Sequence, residues 1–401
     1  MLAIARATRD RTVRGMAQPL LISPVTLRSV ALRNRIVISP LCQYSAAEGM
    51  ANDWHFAHLA RFALGGAGAV FVEATAVNRD GRITHGDMGL WSDAHIAPLR
   101  RIADFLRSQG AAPAIQLAHA GRKASMQRPW HGNGPLDGSD RARGEDVWRI
   151  VAPSALAMDE GWLTPAELTP AEMADLREHF RRAALRAAAA GFAVLELHGA
   201  HGYLLHSFLS PLSNRRNDAY GGDRAGRMRF PLEIAETVRA AWPKDRPMFF
   251  RVSSVDGIDG GWTLDDTVAL ARELKSRDVD VVDCSSGGIA GSATAARILR
   301  HPGFQVPFAE RIKREAGIKT MAVGLILAPE QAEAILQSGQ ADLIAIGRQA
   351  LYDPNWPLHA ERALLGDSAD FEHWPVQAGW WLERRERGLR ALRTEPAVKQ
   401  T

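Results

Sequence analysis

The sequence predicts a single (β/α)8 barrel, and three observations predict it. Eight short apolar runs alternate strictly with eight segments of helical spacing. The run at 192–197, bounded by Gly191 and Gly199, is followed at once by His198, His201 and Tyr203, as if chemistry sat at a strand's C-terminal end. Gly324 and Gly347-Arg348 close the last two runs, where this fold usually grips a phosphate. A doubly wound sheet would show a phosphate loop after its first strand, and Ser39-Pro40-Leu41-Cys42 is no such loop.

In chain order, the Arg-rich segment 1–18 is expected to be a flexible basic arm, or sequence ahead of a start at Met16. The alternating, Pro-interrupted stretch 19–30 reads as a small hairpin. Strands follow at 35–39, 69–74, 114–118, 192–197, 248–253, 279–284, 320–323 and 343–346. Helices are expected at 54–64, 94–108, 170–190, 230–242, 264–277, 307–316, 329–337 and 354–365. Thr169-Pro170-Ala171-Glu172 is a capping box with Pro at the first helical position, and Thr263 with Asp266 repeats the box. Met173, Leu176, Phe180 and Ala184 fall on one face of that first helix.

The fifty-odd residues 119–168 are too long for a connector and read as a lid over the barrel mouth. The barrel domain is taken as 19–366. The Trp-rich tail 367–401 has no core of its own left to cover, so it is expected to pack on a neighbouring subunit of a homodimer or homotetramer.

Composition narrows the function class. The 401 residues are 46% hydrophobic and 23% charged, as in an ordinary globular protein, and no apolar run approaches the roughly 20 residues of a membrane span. No apolar stretch of secretory type follows Arg6, Arg9, Arg11 and Arg14. Cys42 and Cys284 are too few for a disulfide framework, a four-cysteine zinc site or an iron–sulfur cluster, so a reducing cytoplasm is the expected home. The net charge of +4 resides in the tails: residues 1–20 and 383–401 carry +3 each, leaving −2 for the rest. That distribution speaks against nucleic-acid binding.

Two residues point to a bound polar group. Gln116 and Arg251 lie within apolar strands, where an unpaired amide or charge costs several kcal/mol. A phosphorylated cofactor over both would supply partners. Cys42, read alone, is an ordinary small buried residue.

The motifs Ser39-Pro40-Leu41-Cys42-Gln43-Tyr44, Glu73-Ala74-Thr75, Gln116 to Lys123, His198-Gly199-Ala200-His201-Gly202-Tyr203, Leu209-Ser210-Pro211 with Asn214-Arg215-Arg216, and Gly347-Arg348 resemble those of the old yellow enzyme family. Within these flavin-dependent ene-reductases the bacterial xenobiotic-reductase branch is the most similar. The resemblance runs from about Pro19 to Leu382. It implies non-covalent FMN held by Ser39, Pro40, Leu41, Cys42, Ala74, Gln116, Arg251, Gly324, Gly347 and Arg348, with NAD(P)H as reductant and no metal. Gln116 would meet the pyrimidine edge, Arg251 the N1/C2 side, and Arg348 the phosphate.

Cys42 would tune the flavin, His198 and His201 would bind an enone's carbonyl oxygen beside Tyr44, and Tyr203 would protonate the α-carbon. Nitro compounds and other xenobiotics are further substrates it implies. In the C-terminal segment some relatives place an Arg that reaches a neighbouring site. Here Trp380-Trp381 stands instead, and Trp381 is expected to do the reaching. Two other enzyme readings lack support. A dienoyl-CoA-type reductase needs a cluster-binding cysteine run and a second domain, and a metal hydrolase needs convergent carboxylates beside His198 and His201.

Overall fold

The computed structural model describes residues 18–290, 298–366 and 369–394. The expected arm at 1–18 thus falls, apart from Gln18, outside the described residues. Strands β1 (Ile36–Ile38), β2 (Ala69–Ala76), β3 (Ala112–Ala118), β4 (Val194–Gly199), β5 (Met248–Ser253), β6 (Val281–Ser285), β7 (Lys319–Ala322) and β8 (Leu343–Ile346) close a barrel in sequence order. All its pairings are parallel. After each strand in turn come α1 (Asp53–Leu64), α2 (Ile96–Ser108), α3 (Pro170–Ala189), α4 (Arg224–Ala241), α5 (Leu264–Ser276), α6 (Val306–Ala316), α7 (Pro329–Gln337) and α8 (Trp356–Leu365). The (β/α)8 expectation holds.

Side-chain alternation divides each strand between two cores. Leu195, Phe250, Val282 and Ile344 join the outer core shared with the helices, as do Met173, Leu176, Phe180 and Ala184 of α3. Val37, Phe71, Ala114, Val194, Phe249, Val281, Met321 and Ala345 fill the inner floor. Beneath that floor the antiparallel hairpin Val25–Leu27/Val30–Leu32 plugs the barrel with buried Leu27 and Leu32. Truncating fully buried Phe249 to Ala would cost about 3–5 kcal/mol through lost burial and a cavity.

Both capping boxes form. The Thr169 hydroxyl accepts the Glu172 N–H at 3.3 Å, and the Glu172 carboxylate accepts the Thr169 N–H at 2.8 Å. Thr263 and Asp266 repeat the exchange at 3.3 and 3.0 Å.

Several boundaries need correction. The strand placed at 192–197 is shifted to Val194–Gly199, because its ladder partners are His198 with Arg251 and Gly199 with Val252. His198 is therefore an inward strand residue, not a loop residue. The helix placed at 230–242 starts at Arg224, where the Asp223 side chain accepts the Gly226 N–H, and carries Pro231 in its interior. The segment at 354–365 is preceded by a separate helix, Arg348–Tyr352. A further short helix, Leu204–Leu209, follows β4, and Val376–Thr394 in the tail is helical.

The segment 119–168 contains a short helix, Gly138–Ala142, and a parallel strand pair, Val151–Ala152 with Ala166–Glu167. Ile83, Ala120, Ala124, Met126 and Ile150 form a separate apolar cluster here. Cys42, Tyr44, Trp148, Trp162, Leu163 and Tyr203 pack against it. Among the described residues no helix is long and apolar enough to cross a membrane.

Candidate active site

Inward positions above the apolar floor are polar. Two residues beyond Phe249 on β5 comes Arg251, and two beyond Val194 on β4 come Glu196 and then His198. Gln116 on β3 stands opposite Glu196, and Asp283 on β6 stands opposite Arg251. Gln116 Nε2 donates to Glu196 Oε1 at 2.8 Å, and Arg251 Nη1 donates to Asp283 Oδ2 at 2.7 Å. The expectation that something polar meets Gln116 and Arg251 is met first within the chain: each is bonded to a buried carboxylate. The signal was present, since Leu195-Glu196-Leu197 and Val282-Asp283-Cys284 have the same apolar flanks as Gln116 and Arg251. Cys284 points the other way, into the outer core.

Above this layer the chain after β4 makes a tight turn. His201 holds a left-handed φ of +59°, and Gly202 follows at +79°. A Cβ on Gly202 would lie 2.2 Å from the Gly288 carbonyl oxygen, so only glycine permits that approach. The His201 N–H donates to Ser253 Oγ at 2.9 Å, and its ring Nε2 lies 2.7 Å from Ser285 Oγ. His198 Nδ1 accepts the Ala200 N–H at 3.3 Å, which leaves Nε2 to carry the proton. The rings of His198 and His201 meet edge to face, centroids 5.2 Å apart, and His198 meets Tyr203 likewise at 4.9 Å.

Lys123 enters this turn from the segment after β3. Its Nζ donates to the carbonyls of His201 at 2.8 Å and Gly288 at 3.2 Å, and it lies 5.3 Å from the centre of the Tyr203 ring. Burial, reinforced by Arg122, pulls its amine down to about 7. Burial, and then Arg251, push both His198 and His201 well below the usual imidazole value, so both rings are neutral at pH 7. Burial, then Cys42 and Asp87, raise the Tyr203 phenol well above its usual value and keep it protonated. Cys42 is held as a neutral thiol by burial, then by Glu73 and Asp87.

Tyr44 also takes a left-handed φ, +50°, and its ring meets Trp130 at 6.0 Å. A bulge in β2 at Glu73 turns that carboxylate toward the loop, where it accepts the Gln43 N–H.

A cavity of about 290 Å³ opens beside the turn, over the C-terminal strand ends. It is lined by Ser39, Pro40, Leu41, His201, Arg251, Gly324, Gly347 and Arg348 among the expected residues, together with Ser285, Arg300 and Gln305. Ala74 and Tyr203 line a smaller cavity of about 10 Å³ with Asp87. Cys42 and Tyr44 join Tyr203 in the apolar cluster, and His198 bridges that cluster to His201. Trp381 contributes to neither cavity. It stands 66% exposed on the tail helix.

The cavity suits FMN by its own chemistry. Among the described residues, Ser39 Oγ and Arg251 Nε are buried without hydrogen-bond partners. Gly324, at φ +119°, leaves no room for a side chain beside Gln305, and Arg300 and Arg348, which line the same cavity, suit a phosphate. Lys123, Glu196 and Asp283, with Ser285, Arg300 and Gln305 of the cavity lining, are polar residues at this site to which the sequence reading gave no role.

Residues 20–366 match the model of the NADH:flavin oxidoreductase / NADH oxidase family. An NADPH dehydrogenase of Geobacillus sp. (strain WCH70) is 44% identical over 349 residues, covering 86% of this chain and 95% of that one. Among solved structures, morphinone reductase superposes with a TM-score of 0.71 at 25% identity, covering 87% of this chain and 91% of that one. A 2-naphthoyl-CoA reductase in complex with 2-naphthoyl-CoA superposes at 0.76 with 24% identity over 86% of this chain. The present chain spans about half of it, 52%.

Proposed function

This chain belongs to the NADH:flavin oxidoreductase / NADH oxidase family, and within it we propose an ene-reductase acting on α,β-unsaturated carbonyl compounds. The enzyme is an FMN-dependent NAD(P)H oxidoreductase of old yellow enzyme type. Bound FMN supplies hydride transfer between the nicotinamide and an acceptor. The substrate-side roles belong to the chain's own residues.

In this reading the neutral imidazoles of His198 and His201 donate N–H bonds to the substrate's carbonyl oxygen. Ser285 on His201, and the Ala200 N–H on His198, hold the two rings in orientation. As the β-carbon receives a hydride, negative charge gathers on that oxygen, and the two donors stabilise it without prior rearrangement. Tyr203, kept protonated by its surroundings, gives its proton to the α-carbon. Ser39, Arg251, Gly324, Gly347, Arg348 and the strand-end residues around them would hold the cofactor, Arg348 toward its phosphate. Gln116 and Ala74 would complete the site on the β2–β3 side. Cys42 and Tyr44 would border it through the apolar cluster. The same hydride chemistry extends to nitro compounds.

The described part of the tail, 369–394, would pack on a neighbouring subunit, with Trp381 toward its site; the rest of the segment expected at 367–401 lies outside the described residues. The segment 119–168 would cover the mouth. What carries the ene-reductase reading is the contiguous row Tyr203, His198, His201, which joins a proton donor to two neutral hydrogen-bond donors beside a phosphate-suited cavity. Incubation with NADPH and 2-cyclohexenone tests it. Cyclohexanone should form in step with NADPH loss, and NADPH loss without the saturated ketone would refute the substrate assignment.

A further inference from the structure

The polar layer between the apolar floor and the mouth holds more acid than base. Glu196 and Asp283 are both 0% exposed, and among the described residues Arg251 is the one guanidinium bonded to either. In a buried layer a second carboxylate anion has no counter-charge, so one acid retains its proton. The hydrogen bonds decide which. Asp283 is bonded to the cation, whereas among the described residues Glu196 is bonded only to the neutral amide of Gln116. Burial raises both carboxyls, and the charge of Asp283 raises Glu196 further. Arg251 also borders the larger cavity, and its Nε has no partner among the described residues.

We propose that Asp283 is the standing counter-ion of Arg251 and sets how much of that positive charge reaches FMN in the cavity, while Glu196 remains a neutral acid. Asp283 is thus a positioning residue that acts through Arg251, and the assignment rests on the flavin lying beside Arg251. A flavin gains negative charge on reduction, so a nearby cation favours the reduced form. An anion bonded to that cation opposes it. The barrel therefore carries a built-in brake on the flavin's midpoint potential, placed one strand away from the residue it acts on.

The test is the midpoint potential of the FMN-loaded enzyme, measured by dye-coupled reduction, in four proteins. Asp283→Asn should shift the midpoint upward relative to wild type, Glu196→Gln should leave it unchanged, and Arg251→Met should shift it downward. An unshifted Asp283→Asn beside a lowered Arg251→Met would overturn the role of Asp283 and leave the flavin placement standing. No shift in either would overturn both. An equal upward shift in Glu196→Gln would move the charge to Glu196 and overturn the assignment. Asp283→Ser serves if the Asn variant fails to fold. Loss of FMN from both folded, uncharged variants would also overturn the proposal, because freeing a cation should not weaken the hold on FMN.

Discussion

The rings of His198 and Tyr203 meet edge to face with centroids 4.9 Å apart, so the residue proposed to bind the carbonyl oxygen touches the one proposed to protonate the alkene. The contact fixes the phenol relative to the imidazole without a hydrogen bond between them. Tyr203→Phe keeps that packing and removes only the hydroxyl. It should retain FMN and its reduction by NADPH, and should slow reoxidation by an enone by about 10²–10⁴-fold. Stopped-flow traces of the two half-reactions separate these effects.

The paired imidazoles should act on the transition state more than on binding. His201→Ala removes one donor together with its Ser285 contact. A loss of about 10²–10³ in enone turnover is expected, with FMN content unchanged. Steady-state kinetics on protein of known flavin absorbance checks this.

Lys123 ties two loops through the His201 and Gly288 carbonyls. Lys123→Met leaves both acceptors without that donor, at about 1–3 kcal/mol of stability. Denaturant unfolding should show a lower midpoint with an unchanged slope. Relaxation of the His201 turn should raise KM for the enone more than for NADPH.

Acid stability should reflect the buried histidines. His58 and His119 are pulled down to about 3 by burial, and His198 and His201 are also well below their usual value. The unfolded chain takes up these protons near pH 6.5, whereas the folded one does not. Stability is therefore full above about pH 6.5 and falls as pH drops toward the folded values, by about 1.4 kcal/mol per pH unit for each histidine. Urea unfolding at pH 7, 6 and 5 measures the slope.

The tail helix exposes Trp380 and Trp381, 46% and 66%, with Arg384 over the Trp380 ring. Removing the chain from residue 367 onward should lower the apparent mass beyond the loss of the tail itself. Light scattering reads this directly. Trp381→Ala should alter relative rates among enones of different size while FMN content stays constant.

Much of this was legible in the residues. His198, His201 and Tyr203 stood out because a strand ended and three proton-sharing groups followed, and Thr169 with Glu172 marked a helix start by their chemistry alone. Glu196 and Asp283 carry the same apolar flanks as Gln116 and Arg251 and were legible as interior by the same argument; what stayed hidden was the strands' phase, which turns all four inward and lets them meet. That phase depended on ladder partners such as His198 with Arg251, and the local sequence does not reveal them. Pro231 misplaced the start of α4, since proline favours a first turn and here lies inside the helix. The tail helix was missed because its Arg- and Glu-rich stretch 383–393 shows little apolar face, with just Leu389, Ala391 and Leu392 among the charges.

The most direct measurement of the central claim is an anaerobic titration of the purified yellow protein. One equivalent of NADPH should bleach the flavin absorbance, and one equivalent of 2-cyclohexenone should then restore it. Bleaching that the enone fails to reverse, while molecular oxygen does reverse it, would contradict the proposed roles of His198, His201 and Tyr203.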